Sequence, residues 1–254
     1  MLTVISPAKT LDFESPTSVK TATVPEHLAN SKELISQLRE LSPQQLGKLM
    51  GISRKLAELN SERFKTWQPP FNTDNARQSL LAFKGDVYLG IDVEQYSTRD
   101  FNFAQKNLRI LSGLYGVLRP MDLIQPYRLE MGTRLANKRG CDLYDFWGDR
   151  IGHSLADELA GHRNKTLVNL ASNEYFKAVN PRLLPGTIIT PVFKEHHRGE
   201  FKVLSFFAKK ARGYMASFIV KNRINKPEDI KAFDVDGYRF NDNLSNDKNW
   251  VFTR

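Results

Sequence analysis

The sequence predicts a mixed α/β protein, of the α+β kind where its elements alternate loosely, folded as a single compact domain with a central sheet. Three observations lead there. Short apolar runs rich in β-branched residues stand at Leu2 to Ile5, Thr166 to Leu170 and Thr187 to Phe193, the pattern of buried strands. Between them lie segments with apolar residues at helical spacing. The 12 prolines and 15 glycines are scattered over 254 residues of which 41% are hydrophobic. Such a chain is long enough for one sizeable core, and no repeat, low-complexity tract or Gly/Ser linker divides it, so residues 1–254 are expected to form one domain.

Taken in order, Leu2 to Ile5 is a short buried strand ended by Ser6-Pro7. Pro25 to Leu41 carries Leu28, Leu34, Ile35, Leu38 and Leu41 on one helical face. Two shorter helical pieces follow, up to about Trp67, where Thr66-Trp67-Gln68-Pro69-Pro70 breaks the chain. Ala76 to Phe83 reads as helical, Lys84-Gly85-Asp86 as a turn, and Val87 to Gly90 as strand-like. Thr98 to Asn107 is a helix capped by Ser97 or Thr98. Arg109 to Leu118 is apolar and interrupted by Gly113 and Gly116, which mark either close approach of backbone or ligand, or bulges. Asp142 to Leu159 reads as one amphipathic helix with Phe146, Ile151, Leu155 and Leu159 inward. After the strands at 166–170 and 187–193, Phe201 to Phe206 is strand-like and Phe207 to Ile224 is a helix burying Ala211, Met215, Phe218 and Ile219.

Lys and Arg number 37 against 28 Asp and Glu, a formal charge of +9. A basic balance suits polyanions such as nucleic acid, although many basic proteins bind none. Its distribution says more: Phe193 to Arg223 holds eight bases and two acids, so the excess sits on folded structure and not on a tail. No stretch approaches the roughly 20 apolar residues of a membrane span. The first residues lack the pattern of a signal peptide, so a cytoplasmic protein without membrane contact is expected. The single Cys141 excludes an internal disulfide or a Cys-based zinc cluster.

The most informative local stretch is 42–60. Ser42-Pro43-Gln44-Gln45 has a capping Ser, Pro at the first helical position and Gln completing a capping box. Leu46 and Leu49 give the helix an apolar face, Gly51 suits a left-handed turn, and Ser53 can cap a second helix bearing Leu56, Ala57 and Leu59. The pattern resembles the helix-hairpin-helix motif of DNA repair and recombination proteins. There, outward backbone N–H groups and a helix N-terminus grip a phosphate without reading bases. Met50, Gly51, Ile52, Ser53, Arg54 and Lys55 would form that contact. Two positions depart from the motif: Met50 stands where Pro is usual, and Ser53 where a second Gly is usual. The other reading is an ordinary helical corner with Gly51 as its C-cap.

Lys209, Lys210 and Arg212 lie early in a helix, where the macrodipole disfavours bases. They either build an anion site or pair with acids elsewhere. Lys9 follows the exit of the first strand, a common position for a binding crevice. No Walker A loop, G-x-G-x-x-G, G-x-S-x-G or H-E-x-x-H occurs, so no cofactor, metal or catalytic residues are assigned. His196-His197 point different ways along a strand and make a weak metal pair. Cys141 beside Arg139 is either a redox-sensitive thiol or, more simply, an inert one. Asp86, Asp145 and Glu174 could serve as catalytic carboxylates, but spacing gives them no shared geometry.

The stretches Ile5 to Thr10, Phe83 to Tyr88, Leu111 to Pro120, Pro126 to Gly132, Asp145 to Gly148, Asn169 to Ser172, Glu174 to Phe176 and Phe207 to Gly213 together resemble the YaaA peroxide stress protein family of bacteria, over essentially the whole chain. The resemblance implies an oxidative-stress role associated with lower free intracellular iron. It implies a compact α/β body of topology particular to the family. It also implies binding of double-stranded, branched and bubble-containing DNA through a helix-hairpin-helix and a basic cleft, here expected at Lys9, Lys84, Arg128, Lys209, Lys210 and Arg212. The leading expectation is therefore a DNA-binding protein of the peroxide response without enzymatic activity. An alternative is an enzyme acting on nucleobases or nucleotides, such as an N-glycosidase of damaged bases. A third possibility, an iron-handling protein, fits poorly with five histidines and one cysteine.

Overall fold

The computed structural model describes all 254 residues. Eight strands share one mixed sheet: β1 (Leu2–Ile5), β2 (Leu108–Ser112), β3 (Gly116–Leu118), β4 (Thr166–Leu170), β5 (Thr187–His197), β6 (Glu200–Lys202), β7 (Arg239–Phe240) and β8 (Asn249–Thr253). Their spatial order is β7-β8-β5-β4-β1-β2-β3, with β6 beside β5. The pairs β2-β1, β1-β4, β4-β5 and β5-β8 are parallel, whereas β3, β6 and β7 run antiparallel to their neighbours. Every residue of β1, β2 and β4 is buried, as expected of parallel strands covered on both faces. At the centre, Thr3 of β1 faces Leu108 on one side and Val168 on the other.

In chain order the parallel strands are β1, β2, β4, β5 and β8, yet in space the second lies outside the first. This is one of the doubly wound orders, and the chain switches direction across the sheet between β1 and β4. What is particular to this chain is the excursion from β1 to β2, which holds five of its eight longer helices and one small two-stranded ribbon, Thr10–Leu11 with Phe83–Lys84, and whose last helix leads straight into β2.

Helices of five residues or more are α1 (Leu28–Arg39), α2 (Pro43–Met50), α3 (Arg54–Thr66), α4 (Asp86–Ile91), α5 (Thr98–Asn107), α6 (Leu143–Trp147), α7 (Arg150–Gly161) and α8 (Ser205–Lys221). Their starts follow from the sequence. Ser42 and Gln45 close a capping box on α2, and Ser97 does the same with Asp100 on α5. Polar bonds brace the α1–α3 arm internally and tie its end to the turn between β2 and β3. Arg39 Nε donates to the Phe64 carbonyl at 2.7 Å, and Trp67 Nε1 donates to the Tyr115 hydroxyl at 2.9 Å.

Four expectations change. Val87 to Gly90 is helical, within α4, because Gly90 packs against the backbone of α8; a Cβ on it would lie 2.4 Å from the Lys210 carbonyl oxygen. Asp142 to Leu159 is two helices, since Gly148 at φ 49° turns the chain between α6 and α7. Ala76 to Phe83 is helical only over one turn, flanked by the two-residue strands Arg77–Gln78 and Phe83–Lys84. The strand around Phe201 ends at Lys202, and Ser205 begins α8. Gly113 and Gly116 mark close approach: Cβ atoms there would lie 2.3 Å from the Leu129 carbonyl oxygen and 2.7 Å from the Trp147 ring.

Two outcomes follow from this packing. A Cβ at Gly213 would sit 1.9 Å from the Val87 carbonyl oxygen, whereas one at Gly161 meets nothing within 4 Å. Gly213→Ala is therefore expected to cost about 2–3 kcal/mol by overpacking, and Gly161→Ala to be neutral or stabilising by up to about 1 kcal/mol, both read from urea unfolding midpoints. His27 is enclosed beside Trp147, 5.5 Å between ring centroids, with Nε2 2.9 Å from Ser154 Oγ. Burial holds its pKa below the usual 6.5. Protons then bind the unfolded state first, so stability falls as pH drops through about 6.5 and levels off below the folded pKa. His27→Gln should flatten that slope in urea titrations run from neutral to acid pH.

Candidate nucleic-acid interface and strand-end cleft

The carboxyl ends of β1 and β4 lie side by side, and the segments leaving them diverge into a cleft. Ser6 and Ser172 meet across its base: the Ser172 N–H donates to Ser6 Oγ at 2.8 Å, and the two hydroxyls are 3.3 Å apart. Beneath them the Tyr88 hydroxyl donates to the Ser6 carbonyl at 3.1 Å, and Tyr127 shares a 2.6 Å hydrogen bond with Ser112 at the end of β2. Burial pushes the hydroxyl pKa values of Tyr88, Tyr127 and Tyr175 well up, so this floor is neutral.

A third segment crosses the strand ends. Its Leu129 carbonyl rests on Gly113, and it carries Arg128 and Glu130 into the cleft. Glu130 pairs with Lys9 at 2.6 Å and with Arg128 at 3.1 Å. Thr133 N–H closes a turn on the Glu130 carbonyl, and the Gly132 N–H in that turn donates to Glu174 Oε1 at 3.0 Å. Lys9, Arg128, Glu130 and Glu174 are thus brought together by three different loops. Two of them, Lys9 and Arg128, were expected in a basic cleft. Both pair with the Glu130 carboxylate.

The hairpin forms the far wall. Gly51 caps α2 in the left-handed region, at φ 62° and ψ 40°, and the Gly51 and Ile52 N–H groups both turn back to the Gly47 carbonyl. Gly47 faces Ala57, where an added Cβ would lie 3.5 Å from the alanine methyl, so α2 and α3 approach closely. Ile52 packs on the core, and Ser53 Oγ accepts the Leu56 N–H. The N–H groups of Arg54 and Lys55, at the open start of α3, have no backbone acceptor. Both side chains are exposed, and Arg54 reaches Glu58 at 2.8 Å. Between α2 and the crossing segment lies a cavity of about 490 Å³, bounded by Lys48 to Met50 on one side and by Glu130 to Arg134 with Glu174 on the other.

The remaining basic residues stand elsewhere. Lys84 pairs with Asp12 at 3.3 Å. Lys209 is exposed, and Lys210 lies over the Tyr214 ring at 5.4 Å. Arg212 is half-buried, and loss of solvation lowers its pKa. No hydrogen bond or ion pair links these α8 residues to the hairpin. The other carboxylates have local work: Asp145 accepts the Cys141 N–H at 2.7 Å, and Asp86 opens α4. Cys141 is exposed, and His196 stacks edge-on against Phe201.

Residues 1–244 match the family model described as peroxide stress protein YaaA. The chain belongs to the YaaA family of peroxide stress proteins. Membership places it in the response to peroxide stress. No helix of this YaaA-family chain is long and apolar enough to cross a membrane, and no three His, Cys, Asp or Glu side chains gather as a metal-ligand set. Glu130 was not singled out from sequence as part of a site. Its signal was the Arg128-Leu129-Glu130 spacing, which puts two opposite charges on one side of an extended segment.

The ion-pair triad gives a graded outcome. Glu130→Gln strands Arg128, which is 18% exposed and already has a buried Nε without a partner, and should cost about 1–3 kcal/mol. Lys9→Met removes a side chain that is 61% exposed and should cost under about 1 kcal/mol. Urea unfolding of the two variants checks the order.

Proposed function

We propose that this protein binds duplex and branched DNA without strong sequence preference, holding a backbone phosphate at the Gly51 corner, and that it protects DNA during peroxide stress. One observation carries the proposal: the left-handed Gly51 leads directly into the open N-terminus of α3, flanked by exposed Arg54 and Lys55. Free N–H groups, the positive end of the helix, Lys55 and an Arg54 shared with Glu58 meet there, which supports contact with a phosphate. The corner offers backbone and charge and no side chain shaped to read a base edge, which supports contact without sequence preference. Lys9 and Lys84, more than half exposed, together with Arg128, Lys209, Lys210 and Arg212, are in this proposal further points of positive charge for a long polyanion, away from the corner itself. Lower free iron, associated with the family, is in this proposal a consequence of the stress response and not of a dedicated metal site.

Gel-shift titrations of a paired duplex and a four-way junction test the proposal. Binding should fall steeply between roughly 50 and 200 mM salt. Gly51→Val forces a β-branched residue to positive φ, and combined with Lys55→Glu it should weaken both DNAs by about tenfold or more, with circular dichroism unchanged. Salt-insensitive binding, or an unaltered affinity in the double variant, would overturn it.

A further inference from the structure

The cavity between the hairpin and the strand-end cleft contains one carboxylate that is neutralised and one that is not. Glu130 is held by Lys9 and Arg128. Glu174 receives only the Gly132 N–H, on Oε1, and pairs with no cation. Its second oxygen is available to a ligand that carries N–H donors. Across the cavity, Leu49 and Met50 present half-buried apolar atoms, and Lys48 and Arg134 stand exposed at the mouth. A flat apolar wall, a carboxylate facing it and cations at the entrance are complementary to a nucleotide. A nucleotide placed there would rest its ring on Met50, turn its N–H edge to Glu174 and bring its phosphate to Lys48 and Arg134. The volume of about 490 Å³ suits one such unit. The cavity also adjoins the switch point between β1 and β4, where sheets of this order bind ligands.

We propose that this cavity binds a guanine nucleotide, with Glu174 accepting hydrogen bonds from the base. Guanine presents two adjacent donors, N1–H and the N2 amino group, to the two oxygens of a carboxylate. Thymine has a single N–H between two carbonyls, which a carboxylate repels. The nucleotide is either free or an unpaired residue of bound DNA, and the second source rests on the DNA binding proposed above.

The full-length protein is titrated with dGMP and dTMP by calorimetry. In parallel it is titrated by fluorescence anisotropy with a paired duplex and with duplexes carrying one unpaired dG or dT. The wild type should prefer dGMP over dTMP, and unpaired dG over unpaired dT, by roughly tenfold. Glu174→Gln keeps an oxygen for the Gly132 N–H but loses the charge and the second acceptor. It should abolish both preferences and leave paired-duplex affinity unchanged. Equal binding of dGMP and dTMP, or preferences that persist in Glu174→Gln, would overturn the assignment. If dGMP binds selectively while no duplex binds, the DNA proposal fails and the cavity stands as a site for free nucleotides. If duplexes bind and no guanine preference is found in either assay, the cavity assignment fails alone.

Discussion

The Leu129 carbonyl lying on Gly113 is the contact on which the cleft depends. Any side chain at position 113 would lift the crossing segment away from the end of β2, and with it Arg128 and Glu130. Because that segment lies flat, Glu130 reaches Lys9 from the β1 exit, and Gly132 reaches Glu174 from the β4 exit. Three loops from three parts of the chain are thereby tied to one another by charge and backbone polarity. The cost of desolvating them is limited because each charge but one has a partner.

Elements whose signals are local were legible in the sequence. A capping residue at Ser97 or Thr98 marked the start of α5, and unbroken apolar runs marked β1 and β4, because capping and burial on both faces are written within a few residues. Elements set by distant packing were not. Val87 to Gly90 has strand-like composition, but the approach of α8 to Gly90 makes it helical. β7 and β8 went unread because their places in the sheet come from pairing with each other and, for β8, with β5. At the candidate corner, the Ser42 capping box and the left-handed Gly51 could be read because helix caps are contiguous patterns. The meeting of Glu130 with Lys9 joins residues 121 positions apart, and no periodicity reports that.

The charge excess divides along the same line. A total of +9 suggested a surface for polyanions, and several of the bases sit beside acids within the fold: Lys84 on Asp12, Arg128 and Lys9 on Glu130, Arg139 on Glu33 and Arg254 on Glu195. Lys48, Lys55, Arg134 and Lys209 are among the exposed bases outside those pairs. Such pairs leave the net excess as it was and decide only where on the surface it is felt.

The crossing of α4 and α8 is made by glycine backbones, Gly90 against Gly213, with no side chains between them to slide or re-pack. The start of α4 is in turn fixed to the β1 exit, through the Tyr88 bond to Ser6 and the seat of Gly85 against Ala8. The cleft floor and the basic helix thus behave as a single stiff piece without a hinge. A polymer laid across both would have to supply the compliance itself, bending or opening to match a spacing that the protein does not adjust.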